Sequence, residues 1–234
     1  EIKNLQKFIA SGGNLFIALS PRFNEVGFEK FDAFLKSLGI EFVNLIVLDR
    51  LAAQQGSQPS IPVISRLEKH EITKGFNGRL LFPISATFRL ENDAYTFSTL
   101  AKSIPFPGSW GELSFNEVKN GEAHFDEGKD LKGNLPLFVI GENENKARII
   151  AISSSAFFSN QFKSQSDNYN FLLSSISWLI RDETKISLTR PNVDGNIIFI
   201  SDMQANMIFY ITIIFMPFIF FGIGIYFFRK RISR

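Results

Sequence analysis

Residues 1–21, EIKNLQKFIASGGNLFIALSP, set the fold class. Ile2, Leu5, Phe8 and Ile9 recur at the spacing that lines one face of a helix. Gly12 and Gly13 stop that helix, because glycine takes the left-handed backbone a helix end requires. The compact apolar run Asn14–Leu19 then reads as a buried strand, closed by Pro21, which has no amide to donate. Helix, double glycine, buried strand is an α/β opening. Further on, Phe28, Phe31, Leu35 and Leu38 predict the inner face of a second helix ended by Gly39, with short strands at Ile40–Phe42 and Leu45–Leu48. This alternation predicts a mostly parallel sheet covered by helices on both faces.

The rest of the chain extends that pattern. Leu51–Ser60 is polar and low in bulk, as a surface loop is, and Ile61–Ile64, Arg79–Ile84, Thr87–Leu90 and Tyr95–Leu100 are short β-like segments. They predict an antiparallel section, or strands added at one edge. Ser103–Glu112 holds two prolines and two glycines around Trp110 and is not expected to continue a central strand; Asn116–Asn134 reads as a loop. Leu135–Ile140 and Ala147–Ile152, separated by polar residues, predict a hairpin of adjacent strands. After Ser153, Ser154 and Ser155, Asn168 is expected to cap a helix carrying Phe171, Leu172, Ser175, Ile176 and Leu179, with Trp178 beside that stripe. Residues 183–206 then read as a stalk with β-like pieces at Ile186–Thr189 and Ile197–Ser201, broken by Pro191 and Gly195.

Met207–Phe228, MIFYITIIFMPFIFFGIGIYFF, is twenty-two residues without a charge. At about 1.5 Å of rise per residue it reaches roughly 33 Å, enough for a hydrocarbon core of about 30 Å. Its seven Ile and seven Phe favour insertion by roughly 4 to 8 kcal/mol. Arg229, Lys230, Arg231 and Arg234 follow at once, whereas the twenty residues before Met207 hold only Arg190. The positive-inside rule then predicts a cytoplasmic tail, 229–234, and an outer domain, 1–182, in the periplasm of a bacterial inner membrane. Pro217 is expected to kink the helix or free a carbonyl for a neighbour, and Gly222 and Gly224 stand too close together for a GxxxG dimer pattern.

The net charge of +2 includes four cations of the tail; without them 21 basic residues face 23 acidic ones, so the outer part offers no footprint for nucleic acid. Cysteine is absent, which excludes thiol chemistry and thiolate metal sites and fits an exported domain without disulfides. The chain begins at Glu1 and not at Met, so a preceding N-terminal portion is expected.

Several segments together resemble the GldG-like auxiliary components of ABC transporters, first associated with bacterial gliding motility. They are FIASGGNLFIALSP, FLKSLGIEFVNLIVLD, IPVISRLEKHEITKGF, RIIAISSSAFFSN and NYNFLLSSISWLI, followed by an apolar helix with a basic end. The order of these loose motifs is the specific part, and His70, Ile72 and Thr73 form the family-like H-x-I-T segment. The resemblance implies a fold similar to class I glutamine amidotransferases (flavodoxin-like), used without enzymatic activity, beside an ABC permease and its ATPase. It also implies an additional N-terminal span in many members. Where the family commonly shows a Gly-Asp-Ser type turn, this chain has Ser153–Ser155, so any ligand role resting on that acidic group is in doubt.

No catalytic set stands out. An amidotransferase nucleophile is a cysteine, and a serine needs an orienting base; the chain has two histidines, His70 and His124, and no G-x-S-x-G elbow. His70-Glu71 starts like H-E-x-x-H, but Lys74 stands where the second histidine would be. His124 with Glu122 and Asp126 offers ligand atoms on a loop, though exposed histidine among acids is usually solvated. There is no Walker A loop and no G-x-G-x-x-G, so no catalytic residue, metal or cofactor is expected and nucleotide hydrolysis is left to a partner. The expected function is a non-catalytic, membrane-anchored auxiliary subunit in contact with permease, ATPase and lipid bilayer, whose outer domain binds a partner protein or ligand. A free-standing anchored receptor for a glycan or cell-wall fragment, and a degenerate hydrolase, are the alternatives.

Overall fold

A computed structural model describes residues 1–23, 26–54, 57–91, 94–162, 166–181 and 202–232. The expected stalk strands, and Arg234, lie outside the described residues. Helix α1 (Ile2–Ala10) buries Ile9, with Ile2 and Leu5 packed beside it. Phe8 turns out of that face and lies over Gly13, where a Cβ would stand 2.4 Å from its ring. Strand β1 (Leu15–Ala18) leads to helix α2 (Glu29–Ser37), which buries Phe34 and Leu35, while Phe28 sits at its start, exposed. Gly39 (φ +84°) ends this segment in the left-handed region.

Strands β2 (Ile40–Val43) and β3 (Ile46–Asp49) follow, and helix α3 (Arg50–Gln54) opens the expected loop. Strands β4 (Val63–Ile64), β5 (Leu80–Leu81), β6 (Thr87–Leu90) and β7 (Thr96–Lys102) come next. Strand β8 (Ser109–Glu112) corrects the reading of the Trp110 segment: both prolines fall in the preceding turn, leaving Trp110 on the middle strand of a sheet. The stretch expected as a loop holds helix α4 (Phe115–Asn120) and strand β9 (Leu131–Lys132). Strands β10 (Pro136–Glu142) and β11 (Arg148–Ile152) form the expected hairpin, and helix α5 (Asn168–Leu179) completes the domain.

The main sheet has the order β1-β11-β10-β7 and is mixed. Parallel order holds at β1–β11, with Leu15 opposite Ile149. Every other pairing among the described residues is antiparallel. The mostly parallel sheet expected from the alternation is thus realised at one pairing, because β10 and β11 are joined by a turn far too short for a crossover.

Helices do cover both faces. Ile149 and Ala151 of β11, with Val139 of β10, pack against α1 and α2. Ile150, Ile152, Phe138 and Ile140 point the other way, against Phe171, Trp178 and Leu179 of α5. The period of two along each strand separates the two cores. On the α5 side Phe138 meets Phe171 edge-on with ring centres 4.9 Å apart.

Asn168, expected as a helix cap, does something else. Its Oδ1 accepts from the Leu81 amide at 2.9 Å, and its Nδ2 donates to the carbonyls of Leu81 (2.7 Å) and Phe157 (3.0 Å). A buried amide satisfied in this way ties α5 to β5, and Asp167 takes the cap position.

Beyond the domain, α6 (Asp202–Phe209), a π-helical segment (Tyr210–Phe215) and α7 (Met216–Ile232) run on as one helix. Asn206–Ile232 has mean hydropathy 2.4 over its most apolar window, none of it buried, so it is not a core helix of the domain. Its 27 residues reach about 40 Å. The wide turn has a local cause: Pro217 cannot donate to the carbonyl of Ile213 and crowds it, and the Met216 amide reaches Ile211 instead. Arg229, Lys230 and Arg231 occupy the last turn of α7, where cations oppose the helix dipole.

Replacing Phe138, fully buried between Phe171 and Phe157, with alanine is expected to cost about 3–5 kcal/mol in denaturant unfolding. Ile176→Ala on the exposed side of α5 is expected to cost less than about 1 kcal/mol.

Candidate functional site

A hollow of about 490 Å³ opens beside the β10–β11 turn, lined by His70, Tyr95, Thr96, Ser98, Glu142, Asn143, Glu144 and Trp178 among others. Polar side chains from four separated segments converge on it, and its size lies in the range of small-molecule sites.

The segment before β5 brings in His70. Leu67 bridges to Ala101, and the Glu68 amide donates to the Leu100 carbonyl, laying this segment along β7. Thr73 then locks the turn: its Oγ1 accepts from the His70 amide at 2.8 Å and donates to the Glu68 carbonyl at 2.8 Å. Ile72 is buried in the α5-side core. The H-x-I-T segment therefore divides its labour, with Ile72 anchoring, Thr73 shaping the turn and His70 facing the hollow.

The His70 ring stands edge-on to Trp178 with centres 5.4 Å apart, and its Nδ1 accepts the Ile72 amide at 3.2 Å. That bond assigns the proton of the neutral ring to Nε2. Burial lowers the His70 pKa, the nearby Arg148 acts in the same direction, and Glu71 and Glu142 act against it. Arg148 stacks its guanidinium on Trp178, 4.4 Å from the ring centre, donates to the Trp178 carbonyl, and approaches Glu142 Oε2 at 3.6 Å. Tyr95 is 4% exposed, and burial raises its pKa. Asn143 accepts the Ala147 amide at 2.7 Å and so shapes the turn itself. Of this set sequence reasoning singled out His70, Ile72 and Thr73; Tyr95, Glu142 and Asn143 carried no signal beyond a strand start and a turn.

Ser153–Ser155 lie at the opposite end of the sheet, beyond the carboxyl ends of β1 and β11. Ser155 and Ser20 hydroxyls are 2.7 Å apart, and Ser154 Oγ donates to the Pro83 carbonyl. Ser153 is fully buried, and its carbonyl accepts the Ala86 amide. The structure thus separates this cluster from His70, which bonds within its own turn. His124 is elsewhere again. Its Nε2 lies 3.1 Å from Asp126 Oδ1, and its Nδ1 3.1 Å from the Glu122 carbonyl and 3.8 Å from Glu117 Oε2. Glu122 therefore offers its backbone, not its carboxylate, and the acids near His124 are Asp126 and Glu117. Lys129 Nζ already stands 3.5 Å from Glu117 and 3.2 Å from Asp126, so these carboxylates have a cation between them. The His124 pKa is raised, by the Glu122 bond first and Asp126 second.

A second hollow, about 860 Å³, is bordered by Phe23, Ile46, Ile84, Leu113, Phe115 and Val118. It is larger but mostly apolar. Ile84 is held there at φ +47°, an unusual backbone for a β-branched residue.

With the His70 pKa depressed, its contribution to stability is complete above about pH 6.5, the unfolded value. It is lost as pH falls below that through the folded value. Melting temperature is expected to fall on acidification, and less steeply in His70→Asn, whose Oδ1 can still accept the Ile72 amide. His124, with its pKa raised, contributes fully below about pH 6.5 and loses this as pH rises; His124→Gln is expected to shift the profile the opposite way.

No curated protein matches the chain by sequence. Among solved structures it is similar to the "mmIFT52 N-terminal domain", with TM-score 0.54 and 16% identity over 76% of this chain and 69% of that one. An identity so low speaks for a shared fold alone. Residues 1–175, which supply most of both cores together with His70, Tyr95 and Glu142, match the model of the ABC-transport auxiliary family described as "ABC-type uncharacterized transport system". The chain belongs to that family.

Proposed function

We propose that this protein is a non-catalytic, membrane-anchored auxiliary subunit of an ABC transporter. The family match over residues 1–175 carries this reading. In it the α/β domain, 1–182, is glutamine-amidotransferase-like, joined by a stalk, 183–206, to a span at 207–228 and a basic cytoplasmic tail. The apolar helix ending in Arg229, Lys230 and Arg231 supports a single crossing of a bacterial inner membrane, with the domain on the periplasmic side. The GldG-like assignment rests on the ordered segments quoted above.

A subunit without a nucleotide site depends on partners for energy, and we assign those roles to a permease and an ATPase. The α/β domain binds a ligand or outer partner at the His70 hollow. The hydrogen bonds of Ser154 and Ser155 to Pro83 and Ser20, and of His70 within its turn, support a domain without a serine nucleophile.

The span is the proposed contact with the permease. A Cβ at Gly222 or Gly224 would meet nothing within 4 Å in this chain, so the backbone there is open to a close neighbour. Gentle solubilisation and affinity recovery of the chain are expected to bring down a permease and an ATPase at near-stoichiometric levels. Gly222→Leu with Gly224→Leu, or an unrelated apolar helix of equal length, is expected to keep the chain in the membrane and lower that recovery several-fold. Recovery without any permease or ATPase would instead support the free-standing receptor.

A further inference from the structure

We propose that the hollow beside the β10–β11 turn binds a primary ammonium or guanidinium group on an aliphatic chain, held by Glu142 and Glu144. This deepens the reading of the domain as ligand-binding and rests on it.

The charge around the hollow decides the sign of its ligand. Glu142 and Glu144 line it, and among the described residues no lysine or arginine does. Arg148, the cation beside it, is engaged: it stacks on Trp178, donates to the Trp178 carbonyl, and comes only within 3.6 Å of one Glu142 oxygen. Glu142 therefore keeps acceptor capacity, and Glu144 stands exposed at the turn. An anionic ligand would meet two like charges, with the neighbouring Arg148 guanidinium already engaged, whereas an ammonium gains charge-assisted hydrogen bonds.

The aromatic wall argues against a sugar. Pyranose binding uses an open ring face for stacking, but Trp178 is 3% exposed, with one face under Arg148 and the His70 ring nearly perpendicular to it 5.4 Å away. Tyr95 is 4% exposed. What the hollow presents instead is carboxylates, the Asn143 amide and the hydroxyls of Thr96 and Ser98. Such a site tells an alkylammonium from a neutral diol of the same length by charge alone.

The full chain in detergent is titrated calorimetrically with cadaverine, agmatine and Nα-acetyl-lysine-methylamide, and with 1,5-pentanediol and glucose as neutral probes. Saturable binding of at least one cation is expected, weakening with salt, with the neutral probes at least ten-fold weaker. Binding of cadaverine or agmatine points to a free amine as the natural ligand. Binding of the acetyl-lysine amide alone points to a lysine side chain presented by a polypeptide; either outcome supports the proposal. Glu144→Gln is expected to weaken binding roughly ten-fold, as loss of one charge-assisted bond does, and Glu144→Lys to abolish it. Glu142→Gln is a second variant, with Glu144 decisive if that one fails to fold. No saturable binding of any cation, equal binding of the diol, or affinity unmoved by both Glu144 variants would overturn the assignment. Glucose binding in place of the cations would overturn it while leaving a ligand-binding domain, and recovery of transporter subunits reads the auxiliary role separately.

Discussion

The domain depends on one constraint: β11 is buried on both faces and paired on both edges. Ile149 and Ala151 seal one core and Ile150 and Ile152 the other, while β1 and β10 take up its backbone hydrogen bonds. Every helix that covers the sheet is positioned by that strand. α1 and α2 cover one face because Ile9, Phe34 and Leu35 have Val139, Ile149 and Ala151 to pack on. α5 covers the other because Phe171 and Trp178 meet Phe138 and Ile150, and Asn168 fixes its height through the backbone of Leu81. Loss of a buried partner from such an arrangement leaves a cavity and not a rearranged core.

The two ends of this strand differ in chemistry. At its carboxyl end two of the three serines bond to distant loops, Ser155 with Ser20 and Ser154 with Pro83, which knit the strand exit to its surroundings. At its amino end the tight turn to β10 leaves Glu142, Asn143 and Glu144 around open space, facing His70 from a distant segment. Open space lined by polar side chains is therefore found at the turn end. The larger hollow bordered by Phe23 and Ile84 is mostly apolar, with Ser60, Ser114, Asn116 and Lys119 also lining it.

The described chain has two parts of different character, an α/β domain and a long apolar helix. The helix through Ile232 has the apolar length and basic end that are compatible with anchoring in a membrane. The domain packs two cores on one sheet. The family match over residues 1–175 connects the domain to ABC transport systems.

Much of this was legible in residue order. The double glycine after α1, the β10–β11 hairpin and the apolar span with its basic stop follow from local chemistry: backbone freedom, short polar turns and the cost of exposing isoleucine and phenylalanine. The resemblance to the GldG-like components is what singled out His70. Local pattern could not show direction, so the sheet expected to be mostly parallel is parallel only at β1–β11 among the described residues. Nor could it show that Trp110 lies on a middle strand, since prolines in a turn look the same as prolines in a strand until the turn is located. Asn168 looked like a cap because caps and tertiary tethers use the same amide. The hollow itself is a product of tertiary structure alone: His70, Tyr95, Glu142 and Trp178 are separated by tens of residues and meet only because the sheet order brings β7, β10 and α5 together. Sequence periodicity determines which side of an element is buried; which distant groups then share a cavity is decided by how the buried sides pack.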